Sequence, residues 1–374
     1  MSLLQTAVTF LWVVPLFAAE GVPGSAVTVH EWGTFTSVAG LDGRALSFQA
    51  LAGPADLPCF VFRWNGRNIK AVIPSTVRME TPVLYFYAPR NTTLSVHVGF
   101  PQGFITEWYP QGHVQLQSAD WGPIEVSPGE SLTFPQGSAA SHYYAARHTD
   151  SAPIRAGQEQ EKMIFYRGIG DFSIPLQPRL TADGKLEIRN TGASPIPEAV
   201  VFENRGGKIG YRVVSNLTDS VKVEMPELGD DFGRLTDHLA GALTEMGLYP
   251  KEAAAMIETW RDSWFEEGTR VVYLFPRASV DAVLPLTVTP APEAISRVFV
   301  GRVEVLSPAT QQAIQSALAE GNLTVLEKYG RFLQAFVTEM ERSGGVIQSP
   351  AARSFLASRR ARAESEYYSP SCAK

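Results

Sequence analysis

The sequence predicts an α+β protein, with a mainly antiparallel β-sandwich in its N-terminal part and a packed helical C-terminal part. Three observations predict it. Short apolar runs separated by turn dipeptides fill residues 27–225, helical periodicity takes over near Pro226, and strand-like runs return at 270–275 and 297–306. The chain divides accordingly into a leader over 1–26, a β-rich domain over 27–225, and a mixed helical region over 226–374 that packs on it.

The strands are read from turns and alternation. Asp42-Gly43, Asn65-Gly66, Asp183-Gly184 and Asn190-Thr191-Gly192 are turn signals between apolar runs. Residues 94–98 and 185–189 alternate apolar and polar with a period of two, as half-exposed strands do. Runs at 198–203 and 208–214 flank Gly206-Gly207 and continue a meander.

Beyond Pro226 the period changes. Residues 230–246 carry Leu235, Leu239, Leu243 and Met246 on one helical stripe. Pro250 stands where a second helix begins, and Ala253, Met256, Ile257, Trp260 and Trp264 follow at helical spacing up to Gly268. Glu252, Glu258, Arg261 and Asp262 fall off that stripe and are expected to face water or polar groups. A strand over 284–288, helices over 308–320 and 322–340, and a weaker helix over 350–362 complete the reading.

Composition limits the function classes. In 374 residues, 45% are hydrophobic and 19% charged, which excludes a disordered chain, and the net charge of −6 argues against nucleic-acid binding. Residues 3–19 form an uncharged apolar stretch, shorter than the ~20 residues a membrane span needs, followed by small residues at 19–26. It reads as a signal peptide cleaved between Val22 and Val27, and leaves a secreted or periplasmic chain with no stable membrane span. Two cysteines, Cys59 and Cys372, make no CxxC; in an oxidising compartment they are expected to pair.

Five blocks look familiar together: residues 30–36 (HEWGTFT), 79–87 (METPVLYFY), 106–110 (TEWYP), 161–168 (EKMIFYRG) and 260–268 (WRDSWFEEG). They resemble a group of exported bacterial proteins of unassigned activity that open with a HEWGTFT block. The similarity runs over most of the chain after the leader. The resemblance implies export and brings no catalytic residue with it.

The familiar catalytic signatures are absent. GxGxxG, GxxxxGK[ST] and GxSxG do not occur, and His30-Glu31 is not HExxH because Thr34 stands in the place of the second histidine. In an extended segment over 27–35, Val27, Val29, Glu31, Gly33 and Phe35 share one face, and His30, Trp32 and Thr34 the other. Glu31 therefore falls on an apolar face, where a carboxylate is costly unless paired. It is either an acid/base or metal-ligating group, or half of a buried bridge to Arg78 or Arg167, unless a bulge at Gly33 turns it outward.

Among the histidines, His97, His113 and His238 read as exposed. His142 and His148, taken as one strand, lie roughly 20 Å apart at 3.3 Å per residue and share no metal without a turn between them. A mixed site of His30 with one of these and Glu80 or Glu107 has no supporting ligand spacing. Asp262, Glu266 and Glu267 crowd a helix C-terminus and require compensation, with Arg261 and Arg270 nearby.

Two functions follow. In the first, an extracytoplasmic binding or structural protein recognises glycan or protein through aromatics of the β-rich part, Trp32, Trp108, Tyr109 and Trp121. In the second, a hydrolase uses Glu31 with His30, Glu80 or Glu107, metal-assisted through His30, His142 or His148. The second requires Glu31 to meet at least two partners within about 4–6 Å. No cofactor and no oligomeric state is indicated.

Overall fold

The computed structural model describes residues 25–48, 50, 57–64, 75–137, 141–344 and 353–358. The leader up to 24 and Cys372 lie outside the described residues. Ser25 and Ala26, placed in the leader by the sequence reading, belong to the opening strand Ser25–Ala39.

That strand runs through the middle of a nine-stranded sheet. From edge to edge the order is Lys208–Leu217, Ile196–Arg205, Gly268–Phe275, Pro292–Val305, Ser25–Ala39, Val77–Tyr87, Ile164–Gly170, Gly103–Tyr109 and Phe62–Arg63. Ser25–Ala39 pairs with Pro292–Val305 in parallel, and the remaining pairings of the sheet are antiparallel. The protein is α+β, with a β-rich N-terminal region and most of its helices in the C-terminal part. Yet the composition change near Pro226 is not where the sheet ends, because two later strands return to its centre.

Both faces of the sheet are covered, which is why the opening strand shows buried residues at every position from Val29 to Gly40. One face, through Val27, Val29, Phe35, Leu84 and Phe86, packs on two smaller antiparallel sheets that contribute Val96, Val98, Trp121 and Ile124, and Leu176, Leu186 and Ile188. This is the predicted sandwich. The Asp183-Gly184 turn joins two strands of the three-stranded sheet, with Gly184 at φ 79°.

The other face is helical. Trp32, Val83, Tyr85, Phe165, Val272, Val298 and Val300 pack against helix Phe232–Glu245 through Leu235, Leu239 and Leu243, and against helix Pro250–Trp264 through Ala253, Met256, Trp260 and Trp264. A third core, farther along the same face, joins Val38, Ile169 and Leu306 to helix Pro308–Glu320 and helix Leu333–Arg342. Among the described residues no helix is long and apolar enough to cross a membrane.

Local chemistry sets the helix ends. Asp231 accepts from the Arg234 amide, Pro250 occupies the first turn, and Ser307 caps Pro308–Glu320, which ends at Gly321 in the left-handed region. The single helix expected over 322–340 is broken into Leu323–Glu327, a short 3-10 turn Gly330–Phe332 and Leu333–Arg342. Gly330, at φ 46°, interrupts it. Helix Arg277–Val283 was not expected. The segment holding His142 and His148, read as a strand, is the 3-10 helix His142–Arg147 capped by Ser141, with His148 at its end.

The stripe of the second helix is buried, with Trp264 at 0% and Trp260 at 5% exposure. Trp264→Ala is therefore expected to cost ~3–5 kcal/mol. A urea denaturation curve with an unshifted midpoint would contradict this packing.

Candidate functional site

Glu31 is buried, as its position among apolar neighbours demands, but its partner is neither Arg78 nor Arg167. Arg297, opposite it in the parallel register, donates from Nε at 2.5 Å, and the Tyr166 hydroxyl donates to the other carboxylate oxygen at 2.5 Å. Arg297 continues to Asp281 at 2.8 Å, and Asp281 to Arg277, so the charge chain reaches the surface. Burial lowers the Arg297 guanidinium, but the Glu31 carboxylate outweighs it and holds the group above its ordinary range. Gly33 forms no outward bulge. The extra residues are on the neighbouring strand at Thr81-Pro82, and Gly33 gives room to the Phe299 ring, which a Cβ would meet at 2.6 Å.

His30 points to the helical side, away from Glu31. Its Nδ1 lies 2.7 Å from Glu252, and its ring packs, tilted, against Tyr249 with centroids 4.4 Å apart. Glu252, expected to face water or polar groups, has 0% exposure and accepts from the Tyr87 hydroxyl at 2.8 Å and the Tyr249 amide at 2.7 Å. It belongs to the helix's capping box and ties the opening strand to that helix in one carboxylate. Sequence reasoning missed it because an N3 glutamate after a proline is ordinary capping chemistry.

Glu80 and Glu107 fall in a different place, a belt of buried charge between the two helix-side cores. Glu80 sits opposite Thr34, Arg78 opposite Thr36, and Arg167 opposite Glu107, which in turn faces Arg63 on the edge strand. Arg331 binds Glu80 with two bonds, at 2.5 and 3.2 Å, and Arg78 Nε lies 3.8 Å from the same carboxylate. Burial raises the Glu80 carboxyl, but Arg331 and Arg78 outweigh it and hold it well below the usual carboxylate range. The belt continues through Arg302, Glu304 and Arg270, with Arg270 and Arg302 both on Glu304.

Two backbone irregularities flank this belt. The register slips between Glu80 and Val83, with Thr81 at φ 48°, and again between Glu107 and Ile105. A β-branched residue in the left-handed region is strained by ~1–3 kcal/mol, and such strain and bulges gather at functional sites.

The acidic end of the second helix is compensated by Arg270, one of the two arginines expected there. Arg270 donates to the carbonyls of Trp264, Glu266 and Glu267, Arg302 binds the Glu266 side chain, and His142 lies 3.7 Å from Asp262. Arg261 instead lies over Phe232. His148 is 3.1 Å from Glu258 and exposed. His30, His142 and His148 thus go to three separate carboxylates, and among the described residues no group of histidine, cysteine and acid side chains is arranged to hold a metal.

The aromatic platform is corrected too. Trp32 and Trp121 have 0% exposure and Tyr109 3%, so they are core residues. Only Trp108 is half-buried, with Phe62 stacked on it and Trp64 tilted against it near the sheet edge.

An open cleft of about 340 Å³ lies elsewhere, lined by Tyr87, Glu130, Thr149, Asp150, Ser151 and Lys162 among others. Lys162, in its lining, donates to the carbonyls of Ser151 at 2.7 Å and Thr149 at 3.3 Å, and burial lowers its ammonium below the ordinary range. Tyr87 connects it to the Glu252–His30 cluster.

Comparison with known proteins adds little. No family model matches the chain, and no curated protein matches it. Among solved structures it is similar to the yeast delta-COP-I mu-homology domain at 8% identity, over 76% of this chain and 100% of that one, with a TM-score of 0.30. A likeness that low carries no argument about function.

Glu80 and Glu304 both titrate below the ordinary range in the fold, so the stability they supply is present above pH ~4.5 and is lost as pH falls toward their folded values. Each adds a slope of about 1.4 kcal/mol per pH unit. Glu80→Gln is expected to cost ~3–5 kcal/mol at pH 7 and to flatten the decline between pH 4 and 2. An acid titration of stability with the same slope in variant and wild type would contradict the pairing. Glu31→Ala, which leaves Arg297 with Asp281 alone and takes the acceptor from the buried Tyr166 hydroxyl, is likewise expected to cost ~3–5 kcal/mol in denaturant unfolding.

Proposed function

We propose that this chain is an exported, extracytoplasmic binding protein that holds a glycan ligand in the Tyr87 cleft. The cleft carries the reading. Its volume of about 340 Å³ lies at the lower end of the ~300–1,000 Å³ of small-molecule sites. It sets an aromatic ring beside two carboxylates, hydroxyls and an ammonium, the mixture that a polyhydroxylated ring satisfies. The hydrolase reading needs Glu31 among convergent acids or histidines. Glu31 is instead closed by Arg297 and Tyr166, His30 is held by Glu252 on the opposite face, and Glu80 is held by Arg331.

The expected affinity is modest. At ~0.3 kcal/mol per non-hydrogen atom a disaccharide gains about 7 kcal/mol, a Kd on the order of 10 µM. Titration calorimetry against neutral, acidic and amino-sugar oligosaccharides tests this. Asp150→Ala, at an exposed ion pair with Lys251, is expected to leave stability nearly unchanged and to weaken binding about ten- to hundredfold. Absence of saturable binding by every class at millimolar concentration would overturn the reading.

Export is supported by the apolar leader and by the resemblance to exported proteins. It carries with it the expectation that Cys59, half-buried in the turn before the edge strand, pairs with Cys372. Protein purified without reductant is expected to titrate no free thiol; two free thiols would contradict the bridge.

A further inference from the structure

The buried Glu252 cluster borders the cleft through two contacts. Tyr87, in the cleft lining, donates to Glu252 at 2.8 Å, and Lys251, the residue before Glu252, pairs with Asp150 of the lining at 2.6 Å. Tyr249 belongs to the same cluster. Its ring centroid is 4.8 Å from that of Tyr87, and the two rings stand nearly perpendicular, at 85°.

Tyr249 departs from the rest of the cluster in being exposed, at 45%, while Glu252 and His30 have 0% and 3%. Exposure has not left it loose. The ring lies against the buried His30 ring at 4.4 Å, and its backbone amide donates to Glu252 at 2.7 Å. Leu248 before it is buried, and Pro250 after it fixes the chain at the first turn of the helix. The Glu252 carboxylate also takes His30 Nδ1 at 2.7 Å and the Tyr87 hydroxyl, so one buried group positions three rings. Burial, and then Glu252, push the Tyr87 hydroxyl well above its ordinary range, so it stays protonated and keeps its bond. A large ring held outward forgoes the gain of burial, and a ring already fixed loses little freedom when a ligand covers it.

We infer that Tyr249 is the stacking platform of a second subsite beside the Tyr87 cleft, and that the ligand is an oligosaccharide of at least two pyranose rings. The inference rests on the reading of that cleft as a glycan site. Aromatic faces cover the C–H face of a sugar, while a few polar groups fix its orientation. The cleft supplies the polar groups through Glu130, Thr149, Asp150 and Lys162, and Tyr249 supplies the apolar face. Because the Tyr87 and Tyr249 rings are perpendicular, one flat sugar ring covers one of them only. A ligand that uses both therefore turns at the glycosidic bond between its units. Glu252 and His30 are positioning residues that hold the platform from beneath.

The test is binding as a function of ligand length. Glucose, glucosamine and galacturonate are each titrated as mono-, di- and trisaccharide against the full exported chain, by calorimetry and, for weak ligands, by ligand-observed NMR. In the series that binds, Kd is expected to tighten about tenfold or more from mono- to disaccharide, the scale of one stacking contact. Tyr249→Ala is expected to bring that ratio close to one, and Tyr249→Phe, which keeps the ring, to preserve it. Saturable binding with no dependence on length, or a ratio that survives Tyr249→Ala, would overturn the second subsite while leaving the cleft reading in place. No binding by any of the three series would overturn the cleft reading, and the subsite with it.

Discussion

The parallel pairing of Ser25–Ala39 with Pro292–Val305 is the constraint on which the rest of the molecule depends. It brings the first described strand and the last into the centre of one sheet, so the chain between them must leave and return around that seam. Antiparallel neighbours join by short turns, whereas a parallel pair needs a long crossover. Here the crossover is most of the protein. Both central strands are then covered on two faces, and any ionisable residue they carry is buried with them.

That burial explains why so many charges appear in closed pairs. Glu31 meets Arg297 because the parallel register sets them opposite each other, and Glu80 meets Arg331 because the C-terminal helices cap the same face. Each pair supplies little net stability over an apolar substitute, yet breaking one leaves a stranded charge. The pairs therefore act as registers for the sheet, allowing one alignment of strands and penalising the others. Glu252 does the same between layers, where a helix cap, a histidine of the central strand and Tyr87 share one carboxylate.

Between the two helix-side cores lies the belt of arginine and glutamate, with the Phe332 ring against Arg302 and Arg331. Apolar side chains from the two helical units pack on either side of it, at Trp32, Val83 and Val300 on one side and Val38, Ile169 and Leu306 on the other. The polar cleft at Tyr87 lies outside this arrangement, where loops leave the six-stranded sheet. Rigid buried pairs and an open polar cleft suit recognition, because a scaffold that does not move preorganises its loops.

Much of the fold was legible in the sequence. Alternation at Leu94, Val96 and Val98 marked a strand with one face inside, and the stripe through Met256, Trp260 and Trp264 marked a helix against the sheet, because periods of two and 3.6 are properties of the local backbone. Pro250, Ser307 and Gly321 set helix ends for equally local reasons. The burial of Glu31 followed from its apolar neighbours, but its partner did not, since Arg297 reaches it only through a pairing 266 residues distant in the chain. Arg78 and Arg167 lie on the opposite face of the same sheet, a difference that strand composition does not reveal. Trp32 and Trp121, offered as a binding platform, are buried by packing that strand composition does not reveal. The sequence by itself marked most of the strands and long helices and the need of Glu31 for a partner, because propensity, periodicity and desolvation act locally. Tertiary structure alone decided which charges meet, because strand order and register are set by how whole faces pack.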